Sequence, residues 1–411
     1  MVEEKLITAV VLSPKQRMTS RTRLIVVLVT APVLAFAVVG GYLGRAVAEE
    51  GTYQHLRVFE DVVQLIVNNY VEDVDVNKVM GGAMRGLAEG LDPDSAYLSP
   101  EQVRQVERGT KPAPADVGLE LTRSYYLRAI AIRDGSPAAR AGLMAGDFVR
   151  AIGGTPTREM SVFDGVRLLR GEPGSTVSLT IIRGNAADPH VVELVREIPD
   201  WPEVTGRSLS SGVGYVRVAA FGPQVAERLR AQIKALADTG ATRFVLDLRN
   251  SATGALEGGL DAARLFVGSG TLAVQETRNV PRRSVTAAKG DGSITAPMVL
   301  LVDPGTAGPA EIFAAALSGN HRAELVGEHT LGRAAIQKLV RLPDGSGFWL
   351  SHTWFLTPAG TVIHEKGLAP DLVVEGPDVE FGAARPATDP ILDRAVERLT
   401  AIATPKTSAE R

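Results

Sequence analysis

Residues Val302 to Gln337 read VDPGTAGPAEIFAAALSGNHRAELVGEHTLGRAAIQ, and the fold follows from how this stretch is read. The run that leads into it, Met298 to Val302, is short and unbroken in apolar residues, the pattern of a strand buried on both faces. Ala310 to Leu317 is a helix-forming run behind a Gly/Pro turn, so Gly305 to Pro309 is predicted to be a strand-to-helix turn. If the chain carries out a reaction, this turn is where it is expected.

The same alternation extends towards the N-terminus. Gly214 to Ala219 and Arg243 to Leu248 read as strands, the second nearly all apolar. Between them Gln224 to Asp238 is an amphipathic helix with Val225, Leu229, Ile233 and Leu236 on its inner face, closed by Gly240. A further helix is predicted over Ala255 to Val267, then a strand at Thr271 to Val274, then a basic Gly/Pro/Arg loop before the opening strand. A terminal helix is expected over Pro390 to Ala401. Strands alternating with helices in this way imply βαβ units and a mainly parallel sheet, which we place in a domain spanning 205–402.

Three segments carry a resemblance: the Gly305 to Pro309 turn, its partner Gly327 to Gln337, and DLRNSATG at Asp247 to Gly254. They look like the carboxy-terminal processing (tail-specific) serine peptidases, a family that couples a PDZ domain to a Ser/Lys catalytic dyad. The match covers nearly everything after the N-terminal segment and implies a crotonase-like α/β core with an inserted PDZ domain. DGSGFWLSHTWFLTPAGTVIHEKGLAPDLVVE at Asp344 to Glu375 resembles the family's closing hairpin and T-P-x-G segment.

The departures fall at the chemistry. The family's nucleophile turn reads G-(S/T)-A-S-A-S-E, whereas here it reads Gly305-Thr306-Ala307-Gly308-Pro309-Ala310-Glu311. In that register Gly308 occupies the nucleophile slot, and it has no side chain to attack with. The family's G-E-x-T-(F/Y)-G-K-G-x-x-Q is written here Gly327-Glu328-His329-Thr330-Leu331-Gly332-Arg333-Ala334-Ala335-Ile336-Gln337, with Arg333 in the slot of the lysine base. A guanidinium stays protonated, so arginine cannot serve as that base. Gln337, the orienting residue in the family, is retained.

The resemblance also places two oxyanion donors. One is the backbone N–H of the residue after the nucleophile, here Pro309, which has none. The other comes from the N-P-G-G turn, written here Ser251-Ala252-Thr253-Gly254, where Thr253 replaces a glycine and is expected to resist glycine's backbone conformation. Read without the family, the same residues make a sound helix start: Gly308 as N-cap, Pro309 at the first helical position, Glu311 in the first turn.

Residues 115–198 show short β-type runs around Gly/Pro turns. VGLEL at Val117 to Leu121, DGSPAARAGLMAGDFVRAIGG at Asp134 to Gly154 and LLRGEPGSTVSLTIIR at Leu168 to Arg183 resemble a PDZ domain. PDZ domains take an extended C-terminal peptide as an added strand, with backbone N–H groups of a Gly-containing loop on the terminal carboxylate. The resemblance puts Gly118, Leu119, Glu120 and Leu121 at that carboxylate, with Leu119 and Leu121 lining a pocket for the peptide's last side chain.

Ahead of this lies a helical lead-in, 50–110. Val58, Phe59, Val62, Val63, Ile66 and Tyr70 recur at helical spacing, and a second helix is predicted from Asn77 to Gly90. LDPDSAYLSP at Leu91 to Pro100 has Asp-Pro turn chemistry and resembles the family's L-D-P-H-S turn, with Asp94 where His is usual. The lead-in is expected to pack beside the PDZ domain or against a second copy. Leu24 to Leu43 is free of charge and matches the ~20 residues that span a bilayer, with Lys15, Arg17, Arg21 and Arg23 before it. We expect a transmembrane anchor at 24–44, a cytoplasmic N-terminus at 1–23 and an exported body on the periplasmic or extracellular side. Ala46-Val47-Ala48 has the form of a signal-peptidase site, so cleavage is left open. Residues 403–411 are expected to be a disordered tail.

Composition sets the outer limits. With 411 residues, 45% hydrophobic and 22% charged, the chain can bury two or three sizeable cores. A net charge of -3 gives no reason to propose a nucleic-acid partner. Without cysteine there is no disulfide or thiol chemistry, and the six histidines show no ligand spacing, so no metal or cofactor is expected. The sequence therefore predicts a membrane-anchored homologue of these peptidases that has lost proteolysis and binds peptides or proteins. The alternative from a different class is an active peptidase with a relocated hydroxyl at Thr306, Ser251 or Ser318 and Lys338 as amine. A third reading pairs the chain with an active paralogue or with itself.

Overall fold

The computed structural model describes residues 55–402 apart from 110, 185–187, 210–211, 378 and 384–385. The expected anchor at Leu24 to Leu43, the segment before it and the tail 403–411 lie outside these residues. Among the described residues no helix is long and apolar enough to cross a membrane. The chain divides into two units, Met1–Gly81 and Gly82–Arg411. In the first, helix α1 covers residues 55–69 and leaves Val58, Phe59, Val62 and Ile66 exposed.

Helix α2 (Val76–Glu89) leads to the Leu91 to Pro100 segment. Asp92 Oδ1 accepts the N–H groups of Asp94 (2.9 Å) and Ser95 (2.8 Å), which folds the chain back as the Asp-Pro pattern predicts. What periodicity could not show is the three-residue strand β1 (Ala96–Leu98), too short to carry a pattern, which pairs with a distant hairpin. Helix α3 (Pro100–Glu107) follows on a capping box of Ser99 and Gln102.

The PDZ region is a five-stranded antiparallel sheet with a short sixth strand. It comprises β2 (Leu119–Arg123), β3 (Leu127–Ile132), α4 (Pro137–Arg140), β4 (Phe148–Ile152), β5 (Thr155–Pro156), α5 (Val162–Leu169), β6 (Thr176–Ile182) and β7 (His190–Val195). The order is β2-β3-β4-β6-β7 with β5 on β4, so β2 is an edge strand. Its core is Leu121, Leu127, Val149, Leu169, Leu179 and Ile181.

The remaining elements are β8 (Val204–Ser208), β9 (Val213–Val218), β10 (Ala220–Phe221), α6 (Val225–Asp238), β11 (Arg243–Asp247), β12 (Thr253–Gly254), α7 (Leu256–Ala263), β13 (Thr271–Thr277), β14 (Val280–Thr286), β15 (Met298–Val302), α8 (Pro309–Gly319), β16 (Glu324–Gly327), β17 (Ala335–Arg341), β18 (Gly347–Leu356), β19 (Leu372–Val373) and α9 (Pro390–Ile402). Six strands form one sheet in the order β19-β16-β15-β11-β9-β8, parallel except for the β8 edge. Strand alternation splits its side chains between two layers. Val299 and Leu301 meet Ile391, Ala395 and Leu399 of α9, while Met298, Leu300 and Val302 share a core with α6, α7 and α8. A second sheet, β1-β18-β13-β14 with β17 on β18, completes this region.

Three boundaries differ from the sequence reading. The helix expected to Val267 stops at Ala263, and the strand expected to end at Val274 runs to Thr277. The basic stretch read as a loop holds strand β14, entered through Asn279 at φ 62. Six of its seven residues are exposed, so no apolar face was there to be read.

Parallel topology has one consequence for function. It brings together the carboxyl ends of β11, β15 and β16, where open α/β sheets place their ligands. The segments leaving those ends are 248–254, 303–308 and 328–334, the three that carry the resemblance.

Candidate functional site

Five fully buried apolar residues of β15 drive the chain into a turn held by its own Asp303. Oδ1 of Asp303 accepts the N–H groups of Asn250 and Gly305, each at 3.0 Å, and lies 3.1 Å from the Thr306 hydroxyl. Burial pushes the Asp303 carboxyl up to about 6. At the end of the turn Gly308 takes φ 59, ψ -122, and Pro309 opens α8. This is the sharp strand-to-helix elbow on which nucleophiles are held in strained conformations, and glycine occupies it without Cβ strain. A Cβ at Gly308 would have room, with Ala252 O at 3.5 Å, Arg333 O at 3.7 Å and Leu256 Cδ2 at 3.8 Å. The elbow is thus formed, and what it presents is a hydrogen.

Glu311 stitches this elbow to the 328–334 segment. Its two carboxyl oxygens face four donors: Gly308 N (3.1 Å), Thr330 Oγ1 (2.5 Å), Gly332 N (2.7 Å) and Arg333 N (2.7 Å). Burial pushes its carboxyl up to about 7 against the pull of those donors. The glutamate therefore has a structural post inside the wall of the site.

Arg333 meets Gly308 with its carbonyl, and its guanidinium is engaged elsewhere. Nε lies 3.1 Å from Asp94 Oδ1, and a terminal nitrogen lies 3.9 Å from Glu120 Oε2. Asp94 Oδ1 takes no aligned hydrogen bond, so the link is mainly one of charge. The other oxygen of Glu120 accepts from the Thr253 hydroxyl at 2.9 Å. Asp94, foremost, raises the Arg333 pKa further. One network thus ties the α2–β1 turn, the PDZ edge strand β2 and the turn after β11.

The expectation for Thr253 requires correction in its reasoning. Thr253 lies in β12, paired with Ala220, and its φ is not positive; the left-handed positions of the turn are Asn250 (φ 52) and Gly254 (φ 127). The threonine is accommodated because its own backbone is that of a strand, and what it adds is the hydroxyl on Glu120. Pro309 is buried at the first helical position. Gln337 pairs with Ser351 beside a bulge in β17, and its side chain makes no hydrogen bond among the described residues.

The hydroxyls proposed for a relocated nucleophile are poorly placed. Thr306 is fully buried, with Oγ1 2.9 Å from Leu248 O and accepting the Asp303 N–H. Ser251 is fully buried with its hydroxyl unpaired among the described residues. Ser318 stands about 15 Å along α8 from Gly308. Lys338 is exposed and, by strand alternation, faces away from Gln337.

In the PDZ loop Gly118 takes φ 75, and a Cβ there would fall 2.2 Å from Ser136 Cβ and 3.1 Å from Trp201, so only glycine fits. Leu119 and Leu121 are buried in the PDZ core, while Glu120 points across to the network just described. The sequence reading singled out Asp94 and Glu120 for other reasons and missed that they share Arg333. The signal was faint: an acid at Asp94 where His is usual, and an arginine at Arg333 where Lys is usual. Between the PDZ sheet and the carboxyl ends of β11 and β15 lies a cavity of about 910 Å³, bordered by Ile130, Asp134, Arg217, Asn250, Asp303 and Leu331. Arg217 Nε donates to Asp134 Oδ2 at 2.9 Å, which joins its two walls.

Residues 212–374 match the model of peptidase family S41, and residues 129–183 match that of the PDZ domain. The chain is 33% identical over 321 residues to a carboxyl-terminal-processing protease of Synechocystis sp., covering 76% of this chain and 75% of that one. It is 30% identical over 337 residues to a carboxy-terminal-processing protease of Bartonella bacilliformis, covering 80% and 77%. Among solved structures, the photosystem II D1 C-terminal processing protease superposes with a TM-score of 0.64 at 28% identity, covering 77% of this chain and 92% of that one.

Proposed function

The chain belongs to the family of carboxy-terminal-processing proteases, peptidase family S41 with a PDZ domain, and we propose that within it this protein is a pseudopeptidase. It binds peptide or protein C-termini through the PDZ domain and does not cleave them, acting as a scaffold or as a regulator of proteolysis, alone or beside an active paralogue. The body is exported and held at the membrane by Leu24 to Leu43.

The observation that carries this reading is the elbow at Gly308. A glycine there supplies no hydroxyl, the next residue supplies no N–H, and the guanidinium in the base slot is engaged by Asp94 at 3.1 Å. Without nucleophile or base, acyl transfer loses its first step. The burial of Thr306 and Ser251 speaks against a relocated nucleophile.

Cleavage of an unstructured protein with an apolar C-terminus, followed by mass spectrometry, tests it. The unmodified protein is expected to give no product, and neither should Gly308→Ser alone, whose serine would face Arg333 and Pro309. Turnover should return only when Gly308→Ser, Arg333→Lys and Pro309→Ala are combined, because such groups act as a unit. Even then it should be weak, because Thr253 stands where the family has an oxyanion-turn glycine. Turnover by the unmodified protein that Ser318→Ala or Thr306→Val abolishes would overturn the proposal.

A further inference from the structure

At the start of the segment read as the PDZ carboxylate site, the N–H groups of Val117 and Gly118 already carry a carboxylate of the same chain. Asp116 Oδ1 accepts the backbone N–H of Val117 at 2.6 Å and of Gly118 at 2.8 Å. These are successive N–H groups at the mouth of VGLEL, the type of donor that holds a peptide's terminal carboxylate. The second oxygen, Oδ2, lies 3.3 Å from the Arg170 guanidinium at the end of α5. Asp116 therefore offers the loop what a bound C-terminus would offer: one oxygen on paired N–H groups and a second directed to a cation.

The surrounding backbone does not depend on this contact. Asp116 N donates to Glu197 O at 2.8 Å and Glu197 N to Asp116 O at 2.9 Å, which fixes the chain entering the loop. Val117 O accepts from Ala138 N at 3.0 Å, and Gly118 O from Arg133 N at 2.9 Å, which fix the loop itself. The Asp116 side chain can thus rotate away while the N–H groups stay in place. It is 16% exposed beside an Arg170 that is 31% exposed, so water can reach both charges as the contact opens.

We propose that Asp116 is a built-in competitor for the PDZ carboxylate site, an autoinhibitory cap that an incoming C-terminal carboxylate must displace. This rests on the reading of the PDZ domain as a binder of C-termini. It predicts a protein whose affinity for free C-termini is lowered by the fraction of time the loop is capped. If the loop is open in about a tenth of molecules, removing the cap raises affinity about tenfold.

The experiment uses full-length protein in detergent and a fluorescein-labelled peptide ending in valine, as free acid and as C-terminal amide, read by fluorescence anisotropy. Asp116→Ala is expected to bind the acid several-fold to about tenfold more tightly than the unmodified protein, with the amide unchanged. Asp116→Asn keeps the size of the side chain and an acceptor but loses the charge, so it should show a smaller gain; circular dichroism confirms that each variant is folded. If the unmodified protein prefers acid over amide and neither variant gains affinity, Asp116 is only a local turn: the cap is refuted and the PDZ reading stands. If acid and amide bind alike, or neither binds, in the unmodified protein and both variants, the loop is no carboxylate site and both readings fall. Should Asp116→Ala not fold, Asp116→Asn decides by the same comparison.

Discussion

At Glu311 and Asp303 the site keeps two carboxyls that burial lifts to about 7 and about 6, against ordinary values of 4.5 and 3.8. A carboxyl with a raised folded pKa prefers to be protonated in the folded state. Its contribution is fully present below the unfolded value and is lost as pH rises through the folded one. Asp247 has the opposite sign. Burial lifts it, but Arg249 and Arg217 hold it below the ordinary carboxylate range, so its contribution is lost on acidification. Thermal stability should therefore peak at about pH 5 and decline towards pH 8. Melting curves across that range check this, with Glu311→Gln expected to flatten the decline between about pH 6 and 8. A melting temperature that rises steadily from pH 5 to 8 would refute the assignment.

Among the elements, the informative contact is the one Arg333 makes with the α2–β1 turn and with β2. Without an acid beside it Arg333 would be a partly buried, unpaired charge, and Asp94 supplies that acid at 6% exposure while Arg333 keeps 27%. Partial solvent access moderates the pair, so a double-mutant cycle with Arg333→Gln and Asp94→Asn should give a coupling of about 1 kcal/mol in urea denaturation. Additive effects would show that the two charges ignore each other. Here sequence and structure divide the information. The β15–α8 elbow was legible, since an apolar run, a Gly/Pro turn and a helix-forming run occur consecutively. The Asp94–Arg333–Glu120–Thr253 network was not, because its members are far apart in the chain and no local pattern specifies which acid meets which base.

On the scale of the whole molecule, the proposed anchor makes a claim about location. Leu24 to Leu43 carries no charge and follows Lys15, Arg17, Arg21 and Arg23, the bias that keeps an N-terminus cytoplasmic and sends the remainder across. The protein should stay with membranes through a carbonate wash while its body is digested by protease added from the non-cytoplasmic side. Recovery of the full-length chain in the soluble cytoplasmic fraction would contradict this.

The amino-acid sequence by itself determined the alternation of apolar strands and helices in the α/β core and the residues in the elbow. Hydrophobic period, Gly/Pro punctuation and the identity of Gly308, Pro309 and Arg333 are local properties, readable one window at a time. It also determined what the elbow lacks, since a missing hydroxyl or N–H needs no coordinates to be noticed. Tertiary structure alone decided where the side chains around the elbow point: Glu120 of β2 towards Arg333, and the Thr253 hydroxyl towards Glu120. It also decided that Arg170, at the end of α5, faces the Asp116 carboxylate. The physical reason is that strand edges and loop carboxylates choose among several partners of similar local energy, and the choice is made by packing between segments far apart in the chain.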